Sequence, residues 1–354
     1  MTTSTPPAAP ETVVRVTGPA DLVGTVPYLL GFTPSRSLVL LALNGPKLRC
    51  GMAARVDLPD EPSILGPWAA DLLTFVSRER PSQVALLVYD DARWRRDARP
   101  WQKLVDALQG ELAELGIGLK EATYVSADRF WSYSCHESRC CPDEGTPLDH
   151  GRTSVAATAL VASGRAPVPG REDLRARISA AAPAVVRRTG RLAHQQHEAM
   201  RSGDYLQHSR RVEALFAGLV AERARAGRVE TSDAQAALLL AGLADVPIRD
   251  AVAMRWVGWL RRPSGAARAG QDGPTVEAAE HEAVTALLAD LSRRCDGDWA
   301  VCPLTLFALQ CWHDGEGALA NLAVERALDL DPGYRMAVLV EGLLRAGIRP
   351  SLDS

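Results

Sequence analysis

The sequence changes character near Gly151, and this change limits the folds that the chain can adopt. Before it, apolar runs of strand length alternate with segments of helical periodicity, whereas only helical patterns follow it. Alternating strands and helices predict a mixed sheet with helices packed on it. We therefore predict an α+β protein. A mixed-sheet α/β domain covers 11–150, an all-helical region covers 170–350, and residues 1–10 form a disordered tail.

The strongest strand signal is the continuous apolar run Leu38–Leu43, which suits a central strand that is buried on both faces. Asn44-Gly45 is a strong turn dipeptide, so this strand should form a hairpin with 48–58. Val84–Tyr89 is a second buried-type strand. The other expected elements are helices from Asp21 to Leu30, from Ser63 and from Trp101 to Leu115, and strands at Thr12–Val16, Ala122–Val125 and Phe130–Tyr133.

The C-terminal half predicts helices at 172–181, 184–201, 204–226, 231–242, 247–261, 275–294, 303–313, 315–329 and 333–345. From 303 onward the pattern is repeat-like. Ala320 and Ala327, followed by Asp331-Pro332, match the small-residue and terminal-proline positions of a tetratricopeptide-like helix pair. The alanines let two helices approach closely, and the proline ends the second one. Such a helical stack predicts a groove for a partner helix or peptide.

Several stretches together resemble one family. They are VPYLLGFTPSRSLVLLAL (26–43) with ARVDLPD (54–60), FWSYSC (130–135) with CCPDEGTPL (140–148), and LADVPIRDAV (243–252) with DGEGALANLAVERALDLDPGY (314–334). The family that they resemble is the actinobacterial domain-of-unknown-function family 4192 (DUF4192). The resemblance spans nearly the whole chain and implies a cytoplasmic bacterial protein, but it supplies no catalytic residues.

Cys135, His136, Cys140 and Cys141 form the densest group of potential metal ligands. Three thiols and an imidazole suit a tetrahedral zinc ion. Adjacent cysteines, however, point their side chains in different directions, so binding one ion should strain the loop. A thiol switch is a second interpretation, in which Cys135 pairs with Cys140 or Cys141 because one thiol has a lowered pKa. A packed loop with inert thiols is the third.

Asp90 and Asp91 follow the predicted strand Val84–Tyr89, at the end where α/β sheets bind ligands. Two acids there can hold magnesium or act as general base in a small-molecule enzyme. Helix capping and loop solvation are the structural alternative. The sequence contains no phosphate-binding glycine loop, no G-x-S-x-G and no H-E-x-x-H motif. Whether the chain is an enzyme stays open, and the balance is toward a non-catalytic role.

Two further groups are predicted to be structural. His194, His197 and Glu198 share a helical face whose neighbours are polar, which indicates an exposed surface rather than a metal site. Cys311 lies on an apolar helical face, as a core thiol does.

Charge and hydropathy limit the partners. The net charge of -3 does not favour nucleic acid or an anionic membrane, so the basic segment 93–99 (RWRRDAR) is expected to be a solvated loop. The longest apolar run is far shorter than the roughly 20 residues of a membrane span. The N-terminus lacks the pattern of a secretory signal, which favours the cytoplasm. We expect an interaction or regulatory protein with a protein partner. The enzyme at Asp90 and Asp91 and a metal- or redox-responsive loop are the alternatives, and the oligomeric state is open.

Overall fold

The computed structural model describes residues 18–46, 48–60, 67–126, 128–135, 137, 139–148, 166–228, 230–258 and 276–348. The chain divides into two compact units, Met1–Arg171 and Glu172–Ser354. The first contains a mixed sheet with helices and the second is helical, which confirms the α+β class. The predicted tail 1–10 and the predicted strand Thr12–Val16 lie outside the described residues.

The first unit is built on one sheet of six described strands in the order β2-β1-β3-β4-β5-β6. The strands are β1 (Ser37–Asn44), β2 (Arg49–Asp57), β3 (Gln83–Tyr89), β4 (Gly118–Val125), β5 (Arg129–Ser132) and β6 (Thr146–Pro147), and the helices are α1 (Pro19–Leu30), α2 (Pro67–Glu79) and α3 (Gln102–Glu114). β3 and β4 run parallel and are connected through α3. The other neighbouring pairs of these strands are antiparallel.

The apolar run of β1 places it at the centre of the sheet. Leu38 and Leu40 pack in one core with α2 and α3, and Val39 and Leu41, which point to the other face, are also fully buried. The predicted hairpin between β1 and β2 is confirmed, with Gly45 in the turn at a φ of 66°.

Helix α1 ends at Leu30 as predicted, and Gly31 follows it in the left-handed conformation. Its start differs from the expectation, because α1 begins at Pro19 and not at Asp21. Proline is favoured in the first turn, where its missing N–H has no intrahelical partner to lose. Asp21 instead lies in the first turn, where a carboxylate interacts favourably with the positive end of the helix dipole.

The second unit is a bundle of packed helices. In chain order they are α4 (Arg171–Ala176), α5 (Pro183–Ser202), α6 (Tyr205–Ala226), α7 (Asp233–Ala244), α8 (Val246–Trp256), α9 (Val276–Arg293), α10 (Asp298–His313), α11 (Gly317–Leu330) and α12 (Arg335–Arg345). Helices that are distant in the chain pack together: α5 against α7, α6 against α9, and α7 against α10. α11 packs along α10, and Ala320 and Ala327 of α11 are fully buried.

Helix α10 is the centre of this bundle. It contacts α7, α9, α11 and α12, and its residues from Ala300 to Trp312 are buried. The prediction that this helix starts at 303 is wrong, because the helix begins at Asp298 and Pro303 lies inside it. A proline inside a helix removes one backbone hydrogen bond, but burial of the whole segment outweighs that local preference. Because it is enclosed, the stretch from Ala300 to Trp312 offers no face to a partner.

Among the described residues, none of the helices combines the length and the apolar character that crossing a lipid bilayer requires.

Candidate metal centre

Three of the predicted ligands meet in the loop between β5 and β6. The sulfur atoms of Cys135, Cys140 and Cys141 all lie within 4.8 Å of one another. The Sγ atoms of Cys135 and Cys140 are 3.2 Å apart. The Cys140 thiol is exposed, whereas Cys135 and Cys141 are half-buried. His136 lies outside the described residues, so its role as a ligand stays a prediction.

The backbone of the loop explains why two adjacent cysteines point at one centre. The amides of Cys140 and Cys141 both donate to the carbonyl oxygen of Glu137, at 3.2 and 2.8 Å, and form a tight turn. At the other side, Ser132 Oγ accepts the Cys135 amide at 3.2 Å. Ser132 Oγ in turn donates to Glu121 Oε1 of β4 at 2.7 Å. The expectation that adjacent cysteines must diverge is therefore wrong, because the turn brings both thiols to the same side.

Arginines of the basic segment 93–99 attach this loop to the rest of the unit. Arg96 Nη2 donates to the carbonyl oxygen of Cys141 at 3.1 Å, and its Nε forms an ion pair of 2.5 Å with Asp143. Arg99 donates to the carbonyl oxygen of Tyr133. The segment is thus more than a solvated loop, because two of its arginines hold the chain on both sides of the thiols.

A cluster of aromatic side chains, which includes Trp94, Trp131 and Tyr133, packs together next to the cysteine loop. The Trp94 ring is stacked on Trp131 with centroids 5.7 Å apart, and it meets Tyr133 edge-on at 5.3 Å. Trp131 Nε1 donates to the carbonyl oxygen of Asp143 at 3.0 Å. At Gly145, a Cβ atom would lie 2.4 Å from the Trp131 ring, so only glycine lets the chain pass this close. Trp94 is consequently packed against two other rings of this unit.

The three thiols differ in acidity because they hydrogen bond to one another. Hydrogen bonds from the Cys141 and Cys140 thiols lower the pKa of Cys135. The hydrogen bond to Cys135 raises the pKa of Cys140. Burial, assisted by its bonds to the other two thiols, raises the pKa of Cys141 to about 12. Cys135 is therefore the first to become a thiolate, and a cation is needed to bring all three thiols to the charged form.

The two predicted acids are placed differently. Asp90 follows β3, and its Oδ2 accepts a hydrogen bond of 2.8 Å from the indole of Trp101. The Asp90 backbone is also fixed, because its carbonyl oxygen accepts the Tyr124 hydroxyl at 2.9 Å. Asp91 is exposed to solvent. Neither acid belongs to a metal-ligand cluster within the described parts of the chain.

The other sequence candidates lie in the helical unit. His194 Nε2 accepts a hydrogen bond of 3.3 Å from the Trp299 indole, and the ring of His197 also meets Trp299 edge-on. Cys311 is fully buried near the C-terminal end of α10.

One cluster was missed by the sequence analysis. His281, His313 and Asp314 lie together in the helical unit, with their ligand atoms within 4.8 Å. His281 and Asp314 are 33 positions apart in the chain. The pair His313-Asp314 at the end of a helical pattern was the sole local signal, and no short-range spacing reveals the third residue.

These features define the class: an α+β protein whose sheet carries a half-exposed loop with three converging thiols. A family model with the description "Domain of unknown function (DUF4192)" matches residues 19–351. The chain therefore belongs to this family, as its motifs predicted. No curated protein and no solved structure matches the chain.

Proposed function

We propose that the protein is a metal-responsive regulator in which the thiolates of Cys135, Cys140 and Cys141 bind one zinc-type cation. The observation that carries this proposal is the convergence of the three sulfur atoms within 4.8 Å. Thiolates that surround zinc in a tetrahedron at about 2.3 Å lie about 3.8 Å apart. The loop therefore needs little rearrangement to close around the ion.

The third thiol favours metal binding over a disulfide switch. A disulfide between Cys135 and Cys140 would use two sulfur atoms and leave Cys141 without a part in the chemistry. Cys141 is the thiol whose backbone Arg96 holds, at 3.1 Å from its carbonyl oxygen. Its convergence on the other two is therefore a built feature of the loop rather than a consequence of the Cys135–Cys140 contact.

The exposure of the site suits reversible binding. Three thiolates neutralise a divalent cation and leave one negative charge, and the fourth coordination position is open to water, to His136 or to a group from a partner. Closed four-ligand zinc sites are structural, whereas three-ligand sites keep an exchangeable position. The site requires reduced thiols, as the cytoplasm maintains them, and we propose that the protein acts there.

Cobalt and zinc titrations of the reduced full chain test this function. Cobalt is expected to produce a thiolate-to-metal charge-transfer band that zinc then abolishes. The triple variant C135S/C140S/C141S should lose the band, and Cys50→Ser in β2 is the matched control that should keep it. His136→Ala tests the fourth ligand by its effect on zinc affinity. A band of unchanged intensity in the triple variant, or no band in the native chain, would overturn the proposal.

A second candidate function is binding of a protein partner through α12. The observation that favours it is a pair of large apolar side chains on the outer face of this helix: Val338 is 46% exposed and Leu339 is 69% exposed. Ala337 and Val340 are buried on its inner face, so these residues are not needed for packing within the unit. Contiguous apolar surface that is exposed to solvent is a common site of contact with another protein. The proposed occupant is an amphipathic helix of a partner protein.

Site-specific photo-crosslinking in the native cell tests this candidate. A photoreactive residue at position 339 should give one adduct of defined mass. The same residue at position 343 should give an adduct with the same partner, and Leu339→Glu should abolish the adduct from 343. Arg191 is exposed on α5 and is the control position for random contacts. Equal labelling from 191 and 339, or no adduct at 339, would exclude the α12 surface.

A further inference from the structure

A second group of metal-type ligands lies at the end of α10 in the helical unit. His281 Nε2 hydrogen bonds to Asp314 Oδ1. His313 Nδ1 lies 3.4 Å from the same oxygen. The centroids of the two imidazole rings are 5.3 Å apart. Two imidazoles and one carboxylate thus face a common centre. The three side chains are 28%, 28% and 23% exposed, so the cluster has an open side.

Rigid elements position all three residues. His281 lies on α9, which packs against α10. His313 is the last residue of α10, and Asp314 follows it with its amide bonded to the carbonyl oxygen of Gln310 at 3.0 Å. Ligands on packed helices hold their geometry better than ligands on loops, which lowers the conformational cost of binding an ion.

Gln310 orients the His281 ring from the core side. This glutamine is fully buried, and its Oε1 accepts the amide of Gly258 at 2.9 Å. That contact directs Nε2 toward His281, where it lies 3.0 Å from Nδ1 and 2.7 Å from Nε2. Because an amide NH₂ only donates, the ring offers it a nitrogen as acceptor. This hydrogen bond fixes the orientation of the ring in the metal-free chain.

Gly258 fits against His313. A Cβ atom at this position would lie 2.6 Å from Cγ and Nδ1 of the His313 ring. The backbone of Gly258 therefore contacts the ring directly, while its amide holds Gln310. Gly258 thus supports both histidines of the cluster, His313 by direct packing and His281 through Gln310. An ion pair on the protein surface does not need such support.

We propose that His281, His313 and Asp314 bind a divalent transition-metal ion of the zinc class. Two imidazole nitrogens and one carboxylate are a ligand set for such ions and carry one negative charge. On binding, the metal takes the place of the proton on His281 Nε2, and this proton moves to Nδ1 of the same ring, so the imidazole stays neutral and the hydrogen bond from Gln310 is released. This site is independent of the thiol loop, because it uses no residue of that loop.

The test uses the full chain with the substitutions C135S/C140S/C141S, so that thiolate binding does not contribute. Zinc bound after equilibrium dialysis is measured by elemental analysis, and we expect about one equivalent. Asp314→Asn, which keeps the shape of the side chain, and His281→Ala should each lower the affinity at least about 100-fold. His194→Ala is the matched control and should not change it. Circular dichroism checks that each variant is folded.

Proton NMR of the cobalt-loaded C135S/C140S/C141S chain gives a second readout besides zinc affinity. Coordinated imidazoles should give two sets of paramagnetically shifted ring signals, and His313→Ala should remove one set. The proposal is overturned if the C135S/C140S/C141S chain binds no zinc, or if His281→Ala and Asp314→Asn bind it as tightly as their parent. Failure of the native chain to form the cobalt–thiolate band would instead contradict the thiol site alone.

Discussion

The guanidinium of Arg96 donates a hydrogen bond of 3.1 Å to the carbonyl oxygen of Cys141, across 45 positions of the chain. This contact joins two features that the sequence presents separately, a basic segment and a cysteine group. Arg96 thus has a structural role, because it holds one of the three thiols in place and forms an ion pair with Asp143 of the same loop. The cation also lies near the negative charge that thiolates would bring.

Arg96→Ala should weaken zinc binding by the thiol loop about 10-fold, in line with other losses of an outer partner at a metal site. The cause is lost support for Cys141, so the cobalt–thiolate band should keep its shape and appear only at higher cobalt concentration. Arg95→Ala is the matched control, because Arg95 pairs with Asp97 within its own segment. Equal affinities for the two variants, measured by competition with a chelator, would show that Arg96 does not support the site.

In the metal-free, reduced chain, the three thiols of the loop should be alkylated at different pH values. Because the pKa of Cys135 is lowered, its thiolate fraction rises at a lower pH than that of an ordinary cysteine, and it should react first. Because burial raises the pKa of Cys141 to about 12, it should remain largely unlabelled at pH 8. Peptide mass spectrometry after short iodoacetamide pulses gives the pH profile of each residue. Faster labelling of Cys141 than of Cys135 near neutral pH would contradict this order.

Much of the fold is predictable because the spacing of apolar residues along the sequence follows the faces that each helix or strand buries. Leu38–Leu43 predicts a strand covered on both faces, and Asn44-Gly45 predicts its hairpin, since both signals are local. The start of α10 is not predictable in this way. Pro303 is a local helix-breaking signal, but α10 is enclosed on all sides, and this tertiary packing outweighs the proline.

The two ligand clusters show in the same way which parts of a site can be predicted from local sequence and which cannot. Cys135, Cys140 and Cys141 are close in the chain, so their proximity follows from the sequence, although the turn at Glu137 that makes them converge does not. His281 comes to Asp314 only because α9 packs against α10. A contact of that kind depends on the register between two helices, which composition and periodicity do not specify.

Asp90 should contribute to stability through Trp101. A hydrogen bond to a charged group contributes about 1.5–3 kcal/mol, so we expect coupling of about 1 kcal/mol or more in a double-mutant cycle of Asp90→Ala and Trp101→Phe. The free energy of unfolding is measured by urea titration of the full chain. Asp91→Ala is the control, because this exposed acid should leave stability unchanged. Additive effects of the two substitutions would show that the 2.8 Å contact contributes nothing measurable.

The contact between α6 and α7 should reverse the usual effect of replacing a helical glycine. At Gly242 of α7, a Cβ atom would lie 2.6 and 2.7 Å from the two γ-methyl groups of Val212 on α6. Alanine in a helix is favoured over glycine by about 1 kcal/mol, but overpacking of a core costs about 1–3 kcal/mol.

Gly242→Ala alone should therefore lower the free energy of unfolding, since the two helices must separate to admit the methyl group. In the Val212→Ala background the obstructing methyl groups are gone. The same substitution should then raise the free energy of unfolding by up to about 1 kcal/mol. Urea unfolding followed by circular dichroism measures all four chains of the cycle. If Gly242→Ala changes the free energy of unfolding in the same direction in both backgrounds, the close approach of α6 and α7 is not the reason that glycine is needed at this position.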